Sequence, residues 1–144
     1  MTEFENDVMV ALLPTTTDWC KIELPHLTLV YAGTTDKLSV GTYNEMAKTI
    51  SSVAMLSGTI GLRTHGVEVF GEEKKVDVIR LKPTAALWSM RNLVSQWDRS
   101  EHPFRPHVTV GPQGSTDMPI PSYLTFDRLS VHWGEEQMTF RLGV

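Results

Sequence analysis

The stretch Pro25-His26-Leu27-Thr28-Leu29-Val30 has a close counterpart in Pro106-His107-Val108-Thr109-Val110-Gly111. Both stretches run proline, histidine, apolar residue, threonine, apolar residue. The second histidine follows the first by 81 residues, so each half of the 144-residue chain carries one copy. Aliphatic and β-branched residues dominate both copies, and this composition predicts a β-strand at each.

The spacing within each copy predicts which side chains share a face. Residues two apart in a strand point to the same side of the sheet. His26 and Thr28 therefore project together, as do His107 and Thr109, while the aliphatic residues between them point to the opposite side. The sequence thus predicts two strands that are buried on one face and carry an imidazole and a hydroxyl on the other.

These side chains favour acid-base chemistry at phosphorus. Imidazole exchanges a proton near neutral pH, and two imidazoles that face one substrate can serve as base and acid in a single displacement. Threonine hydroxyls can donate hydrogen bonds to the oxygens of a phosphoryl group. We take His26, Thr28, His107 and Thr109 as candidate catalytic residues. The pattern leaves open which histidine is the base.

The two motifs, with the flanking Phe104-Arg105-Pro106-His107, resemble the paired His-x-Thr-x motifs of the 2H phosphoesterases. The resemblance implies an α+β fold of two pseudo-symmetric antiparallel sheet lobes, with one helix each and a central groove lined by the motif strands. It also implies cleavage of cyclic or 2′-linked phosphodiesters without a metal. Members include RNA 2′,3′-cyclic phosphodiesterases, RNA 2′,5′-ligase-like proteins and a phage-encoded branch that hydrolyses the cyclic oligonucleotide signals of bacterial anti-phage defence.

Length and composition predict one soluble globular domain over residues 1–144, with 41% hydrophobic and 21% charged residues. No apolar run approaches the roughly 18 residues of a membrane span, and the first residues are acidic where a secretory signal would be basic. The single cysteine, Cys20, cannot form an internal disulfide. These features favour the cytoplasm (the host cytoplasm if a phage encodes the chain) and no membrane partner.

The charge balance bears on the partner. Thirteen basic residues are outnumbered by 17 acidic ones, which gives a net charge of −4 at pH 7. Proteins that grip long nucleic acid usually present a basic face. The sequence therefore favours a small nucleotide as substrate over long RNA, and it makes no prediction of oligomeric state.

Signatures of other chemistry are absent from the sequence. There is no His-Glu-x-x-His helix and no Cys-x-x-Cys pair, so we expect no metal and no cofactor. No phosphate-binding glycine-rich loop opens a helix. Nothing beside Cys20 in the sequence would activate it as a nucleophile.

Three residues are candidates for substrate binding. Arg105 precedes the second motif and could contact a phosphate, although a solvated arginine fits the sequence as well. Trp19, in a polar loop before the first motif, and Trp133, at the tip of the last hairpin, could stack on a base, with packing as the alternative. Tyr31 has the parity of the core-facing leucines, so we expect it in the core.

The other histidines carry weaker signals. His65 precedes a glycine and suits a loop or strand edge, and His102 lies in a polar segment that suggests solvent exposure. His132 alternates with apolar neighbours and is a minor candidate for substrate contact.

Hydrophobic periodicity predicts the elements. Strands are expected at about 8–13, 26–32, 59–70, 75–82, 107–111, 123–133 and 137–142. Helices are expected at about 39–56, with Ser39 as N-cap, and at about 84–99. This order indicates an α+β fold rather than a parallel doubly wound sheet.

Three functions remain open at this point. The first is a phosphodiesterase acting on a small cyclic or 2′-linked nucleotide, with RNA-end processing as a variant. The second is a protein that sequesters a nucleotide in the same groove without cutting it. The third is an interaction domain whose motifs arose by chance.

Overall fold

The computed structural model describes residues 6–20, 22–117 and 119–143. The elements follow in the order β1 (Asp7–Pro14), β2 (Leu27–Thr34), α1 (Val40–Leu56), β3 (Ile60–Phe70), β4 (Val76–Leu81), α2 (Ala85–Val94), β5 (His107–Pro112), β6 (Tyr123–Trp133) and β7 (Glu136–Arg141). The predicted α+β class is confirmed. The helix predicted over 84–99 ends earlier, at Val94, and Ser95–Trp97 form a 3₁₀ turn instead.

The strands form an antiparallel sheet in the order β2-β1-β6-β3-β4-β5, and β7 also pairs with β6. Strand β3 is shared between two lobes, because residues 60–63 pair with β6 and residues 64–70 pair with β4. The two motif strands, β2 and β5, end the strand order on opposite sides, yet they contact each other. The sheet therefore curls until its ends meet and brings the two motifs together.

Both helices begin at side-chain caps and bury one apolar face. Ser39 accepts a hydrogen bond from the Thr42 N–H, which confirms the predicted N-cap of α1, and Thr84 accepts one from the Leu87 N–H at the start of α2. The buried face of α1 comprises Met46, Ile50, Val53 and Ala54, and that of α2 comprises Leu87, Met90 and Val94. None of the helices in the described ranges is long and apolar enough to cross a membrane.

An extra residue in β2 changes which side chains face the groove. Residues 10 and 11 of β1 pair with Val30 and Thr28, so Leu29 is an additional residue in β2. A bulge of this kind shifts the alternation of the strand beyond it. Tyr31 consequently lines the groove beside Thr28, and the expectation that it faces the core is wrong.

Strand β6 holds the fold together because it has three strand neighbours. Its residue Phe126 is fully buried and pairs in register with Pro14 of β1 and Ile60 of β3. The ring thus lies where the two halves of the sheet meet.

Replacing Phe126 by Ala should lower the free energy of unfolding by about 3–5 kcal/mol, because the substitution removes a large buried ring and leaves a cavity. Urea unfolding followed by circular dichroism measures the change. Leu93→Ala is the control, since Leu93 is 59% exposed on α2 and should change stability by less than about 0.5 kcal/mol. Equal effects of the two substitutions would contradict this assignment of Phe126.

Candidate active site

Each motif histidine forms the same local hydrogen bond. Nδ1 of His26 lies 3.0 Å from the carbonyl oxygen of Leu24, and Nδ1 of His107 lies 2.7 Å from that of Arg105. In each motif, a proline lies between the histidine and the residue whose carbonyl oxygen the ring contacts. Proline fixes its own φ and favours an extended conformation of the residue before it. The proline therefore restricts the direction in which the carbonyl of the preceding residue points toward the histidine ring.

These bonds define the tautomer of both rings. A carbonyl oxygen can only accept a hydrogen bond, so Nδ1 of His26 and of His107 must carry the proton. In the neutral ring the lone pair then resides on Nε2. Both motifs therefore present Nε2 as the nitrogen that can take up or release a proton.

A groove of about 620 Å³ lies between the motifs. Thr28 and Tyr31 of β2 form one side, and His107 with Arg105 forms the other. Phe70, at the end of β3, adds an aromatic wall. This volume is within the range of small-molecule sites. His26 and Thr109 are half-buried and do not line the groove itself.

Burial controls the charge of the two motif histidines. It lowers the pKa of His26 below the ordinary value, against the opposing effect of the bond to Leu24. Burial likewise lowers the pKa of His107, while the bond to the Arg105 carbonyl opposes it and the charges of Arg105, Arg80 and His26 lower it further. Both rings are therefore mainly neutral at pH 7 in the unliganded protein. The effect of the His26 charge on His107 also indicates that the two imidazoles lie near each other.

Arginine side chains and aromatic rings alternate along the groove. The Arg105 guanidinium lies 4.3 Å from the centre of the Phe70 ring, and that ring meets His107 edge-on with centroids 4.7 Å apart. Arg91 lies over Phe104 at 4.6 Å and forms an ion pair with Asp98 at 3.1 Å. Among the described residues, Arg105 has no carboxylate partner, so its charge is directed at solvent or ligand.

The threonines of the two motifs differ in their surroundings. The Thr28 hydroxyl lies 3.7 Å from the Met9 sulfur, a weak acceptor that a phosphate oxygen could readily replace. The carbonyl oxygen of Thr109 accepts a long hydrogen bond of 3.8 Å from the Cys20 thiol. Cys20 therefore packs behind the second motif.

A comparison with family models supports the interpretation of these motifs. The model described as the 2′-5′ RNA ligase superfamily matches residues 21–139. The chain belongs to this superfamily of 2H phosphoesterases. Membership supports phosphoesterase activity in general terms. A comparison with curated proteins found no match.

Solved structures share the fold of this superfamily member at low sequence identity. Escherichia coli LigT complexed with 3′-AMP is 14% identical and has a TM-score of 0.59, with 95% of each chain covered. Kluyveromyces marxianus Usb1 is 12% identical with a TM-score of 0.67, covering 98% of this chain and 100% of that one. Thermus thermophilus TT0787 is 13% identical with a TM-score of 0.58, covering 94% and 98%. These likenesses confirm the fold of the 2H phosphoesterases.

Neither tryptophan candidate reaches the groove of this 2H phosphoesterase. Trp19 is only 7% exposed within the main hydrophobic core, and its indole N–H donates to the Thr16 carbonyl oxygen at 2.9 Å. Trp133 packs on Tyr43 of α1, with ring centroids 4.9 Å apart, in a separate surface hollow. Packing in the core accounts for Trp19, and Trp133 lies outside the groove, so neither ring is placed to stack on a base bound in the groove.

Several groove residues gave no signal in the sequence. Phe70 lies at the end of a strand far from both motifs, and Tyr31 reaches the groove only through the bulge. His102 is exposed, as expected, but it also lines the groove. Spacing within the motifs could not have identified these residues, because turns and register place them there.

His132 is the third histidine at the site. Its ring centroid lies 5.6 Å from that of His26, and its Nε2 is buried with no hydrogen-bond partner among the described residues. Burial, and to a lesser extent the charge of His26, lower its pKa from 6.5 to about 4. Within the described ranges, no three His, Cys, Asp or Glu side chains are grouped so that they could hold a metal ion.

The lowered pKa of His132 should make the protein sensitive to acid. Between pH 6.5 and about 4, the unfolded chain binds a proton at this residue that the folded chain does not. The free energy of unfolding therefore falls as the pH drops through this window, by at most about 3 kcal/mol from this group. In His132→Phe the difference between urea midpoints at pH 7 and pH 4.5 should be smaller than in the wild type. An unchanged difference would contradict the burial of this imidazole.

Proposed function

We propose that this protein is a metal-independent phosphodiesterase that cleaves a small cyclic or 2′-linked nucleotide by two-histidine acid-base catalysis. The main support is the matched pair of Nδ1–carbonyl bonds at His26 and His107. A protein that only sequesters a nucleotide has no need to preset Nε2 on two neighbouring imidazoles.

The proposed step requires the two imidazoles in opposite protonation states. The neutral ring takes a proton from the attacking oxygen as that oxygen bonds to phosphorus, and the protonated ring gives a proton to the leaving oxygen as its bond to phosphorus breaks. With a 2′,3′-cyclic phosphate, water attacks and a phosphomonoester results. With a cyclic 3′,5′-linked oligonucleotide, the neighbouring 2′-hydroxyl attacks the phosphorus, the bond to the 5′-oxygen breaks, and the ring opens.

The threonines complete this assignment. Their hydroxyls would donate hydrogen bonds to the non-bridging oxygens of the phosphate and so stabilise the negative charge on these oxygens in the transition state. Thr28 lines the groove, which supports this role. Thr109 occupies the corresponding position after His107.

Several features support a small nucleotide as the substrate. The groove volume of about 620 Å³ suits a mononucleotide or a short oligonucleotide, and the net charge of −4 disfavours long RNA. LigT, whose fold this chain shares, has been solved with 3′-AMP, ATP, NADP⁺ and phosphate. We include cyclic oligonucleotide signals beside 2′,3′-cyclic phosphates as substrate classes, and we place the protein in the cytoplasm.

Replacing His26 or His107 by Ala should reduce turnover by about 100- to 10,000-fold, because each substitution removes a proton-transfer group. The assay offers 2′,3′-cyclic mononucleotides, cyclic di- and trinucleotides and 2′,5′-linked adenylates in the presence of excess chelator. His65→Ala is the matched control, since His65 is exposed on β3 outside the groove and should retain wild-type activity. The substrate cleaved fastest identifies the class.

Tight binding of one ligand without turnover in the wild type would contradict the enzyme and favour the sequestering protein. Loss of activity with the chelator would contradict the metal-independent step.

Arg105→Gln should raise KM for a phosphodiester substrate about tenfold or more and change kcat less, because a charge-assisted hydrogen bond to the phosphate is lost. Steady-state kinetics with the best substrate of the panel measures both constants. Arg99→Gln is the control, since among the described residues the Arg99 side chain bonds to the neighbouring Asp98 carbonyl alone and does not line the groove. Equal KM values for the two variants would exclude Arg105 as the phosphate contact.

A further inference from the structure

His132 lies on the same side of β6 as Ser130, away from the helices. Its strand neighbours Val131 and Leu129 are fully buried in the main core, and Trp133 packs against α1. Alternation along the strand therefore directs His132 to the opposite face, where its ring meets that of His26.

The register shows how two strands that do not pair bring these rings together. Strand β1 lies between β2 and β6, and its residue Ala11 pairs with Thr28 on one side and with Ser130 on the other. The methyl group of Ala11 occupies little space above the sheet. The larger rings of His26 and His132 can therefore approach each other over β1, with a centroid distance of 5.6 Å and an angle of 35° between their planes.

The buried nitrogen of His132 calls for an explanation. Buried polar atoms in folded proteins are nearly always hydrogen-bonded, and an exception often has a functional reason. Nε2 of His132 has no partner among the described residues, and its cross-strand neighbours Met9 and Gln137 supply none. The neutral ring of His132, whose Nε2 forms no hydrogen bond, is a polar neighbour of His26. Unlike a positively charged group, it does not repel the positive charge that His26 carries when protonated.

We propose that His132 is a positioning residue for His26: its ring packs against the His26 ring, and the partial negative charge on its buried Nε2 stabilises His26, without a hydrogen bond, while His26 carries a proton. This role rests on the proposed two-histidine mechanism. It applies whether His26 acts as base or as acid, because the ring is an imidazolium at one stage of either role.

Charged and polar groups from three strands lie around the pair. On β5, His107 interacts with His26, and the charges of Arg105 and Arg80 act on His107. On β1, Asp7 accepts a hydrogen bond from the Tyr31 hydroxyl on the neighbouring strand. On β7, the register partner of His132 is Gln137, which does not titrate. Burial is the main reason that His132 stays neutral, and of the described groups the charge of His26 is the one that lowers its pKa further.

The first test uses the wild-type protein and needs no turnover. Titration of the imidazole groups by ¹H–¹⁵N NMR reports the protonation of each ring. We expect His132 to stay neutral throughout the pH range in which His26 gains its proton, with the lone pair on Nε2 of His132. Protonation of His132 within that range, or a proton on its Nε2, would overturn the proposal.

The second test compares two substitutions of similar size. His132→Phe keeps a ring and removes the nitrogen, so the pKa of His26 should fall and kcat should drop about tenfold, the lower end of the cost of losing a histidine-orienting partner in metal sites. The KM should change little, and the pH–rate profile should shift with the His26 pKa. His132→Gln restores a polar group near the position of Nε2 and should recover part of both effects.

An unchanged His26 pKa and pH–rate profile in His132→Phe would overturn the proposal, even if kcat fell, since packing alone would then explain the loss. If no substrate in the panel is cleaved, the proposed function fails. The NMR titration of His26 in the wild type and in His132→Phe still decides whether His132 stabilises protonated His26. The two failures are therefore distinguishable.

Discussion

The hydrogen bond from each motif histidine to the carbonyl two residues before it is the constraint on which the candidate site depends. It fixes the ring orientation and the tautomer in one contact, at 3.0 Å for His26 and 2.7 Å for His107. The intervening proline makes the geometry local, because its ring restricts both its own φ and the residue before it. The exposure of Nε2 as the nitrogen that can exchange a proton is thus set within three residues of sequence.

Contact between the lobes then depends on the curvature of the sheet. Strands β2 and β5 end the strand order on opposite sides, and they meet only because β3 pairs with β6 along one part and with β4 along another. The helices cover the apolar side of the sheet, where β6 packs against α1. The groove is therefore a consequence of the same long strand that joins the two halves of the core.

The sequence predicted those parts of the structure that local rules control. Periodicity located the strands and helices, and spacing within each motif paired His26 with Thr28 and His107 with Thr109. Tyr31 was misplaced because a bulge at Leu29 shifts the alternation, and nothing in the local pattern reports an extra residue. Trp19 was misplaced because its polar loop folds back into the core. Phe70 and His132 reach the site through register between distant strands, which a single sequence does not reveal.

If the proposed two-histidine mechanism operates, the electrostatics of the groove make the bound substrate the group that brings one histidine into its charged form. Burial disfavours the charged form of both motif histidines, and Arg105 and Arg80 disfavour it further at His107. A phosphodiester anion in the groove would reverse that balance, because it offsets the arginine charges and attracts a proton to the nearer ring. Under the proposed mechanism, the acid would then be charged mainly when substrate is bound. Cationic side chains beside a general acid lower its pKa and so reduce the fraction that is protonated, but the same charges would attract the phosphodiester anion that restores the proton.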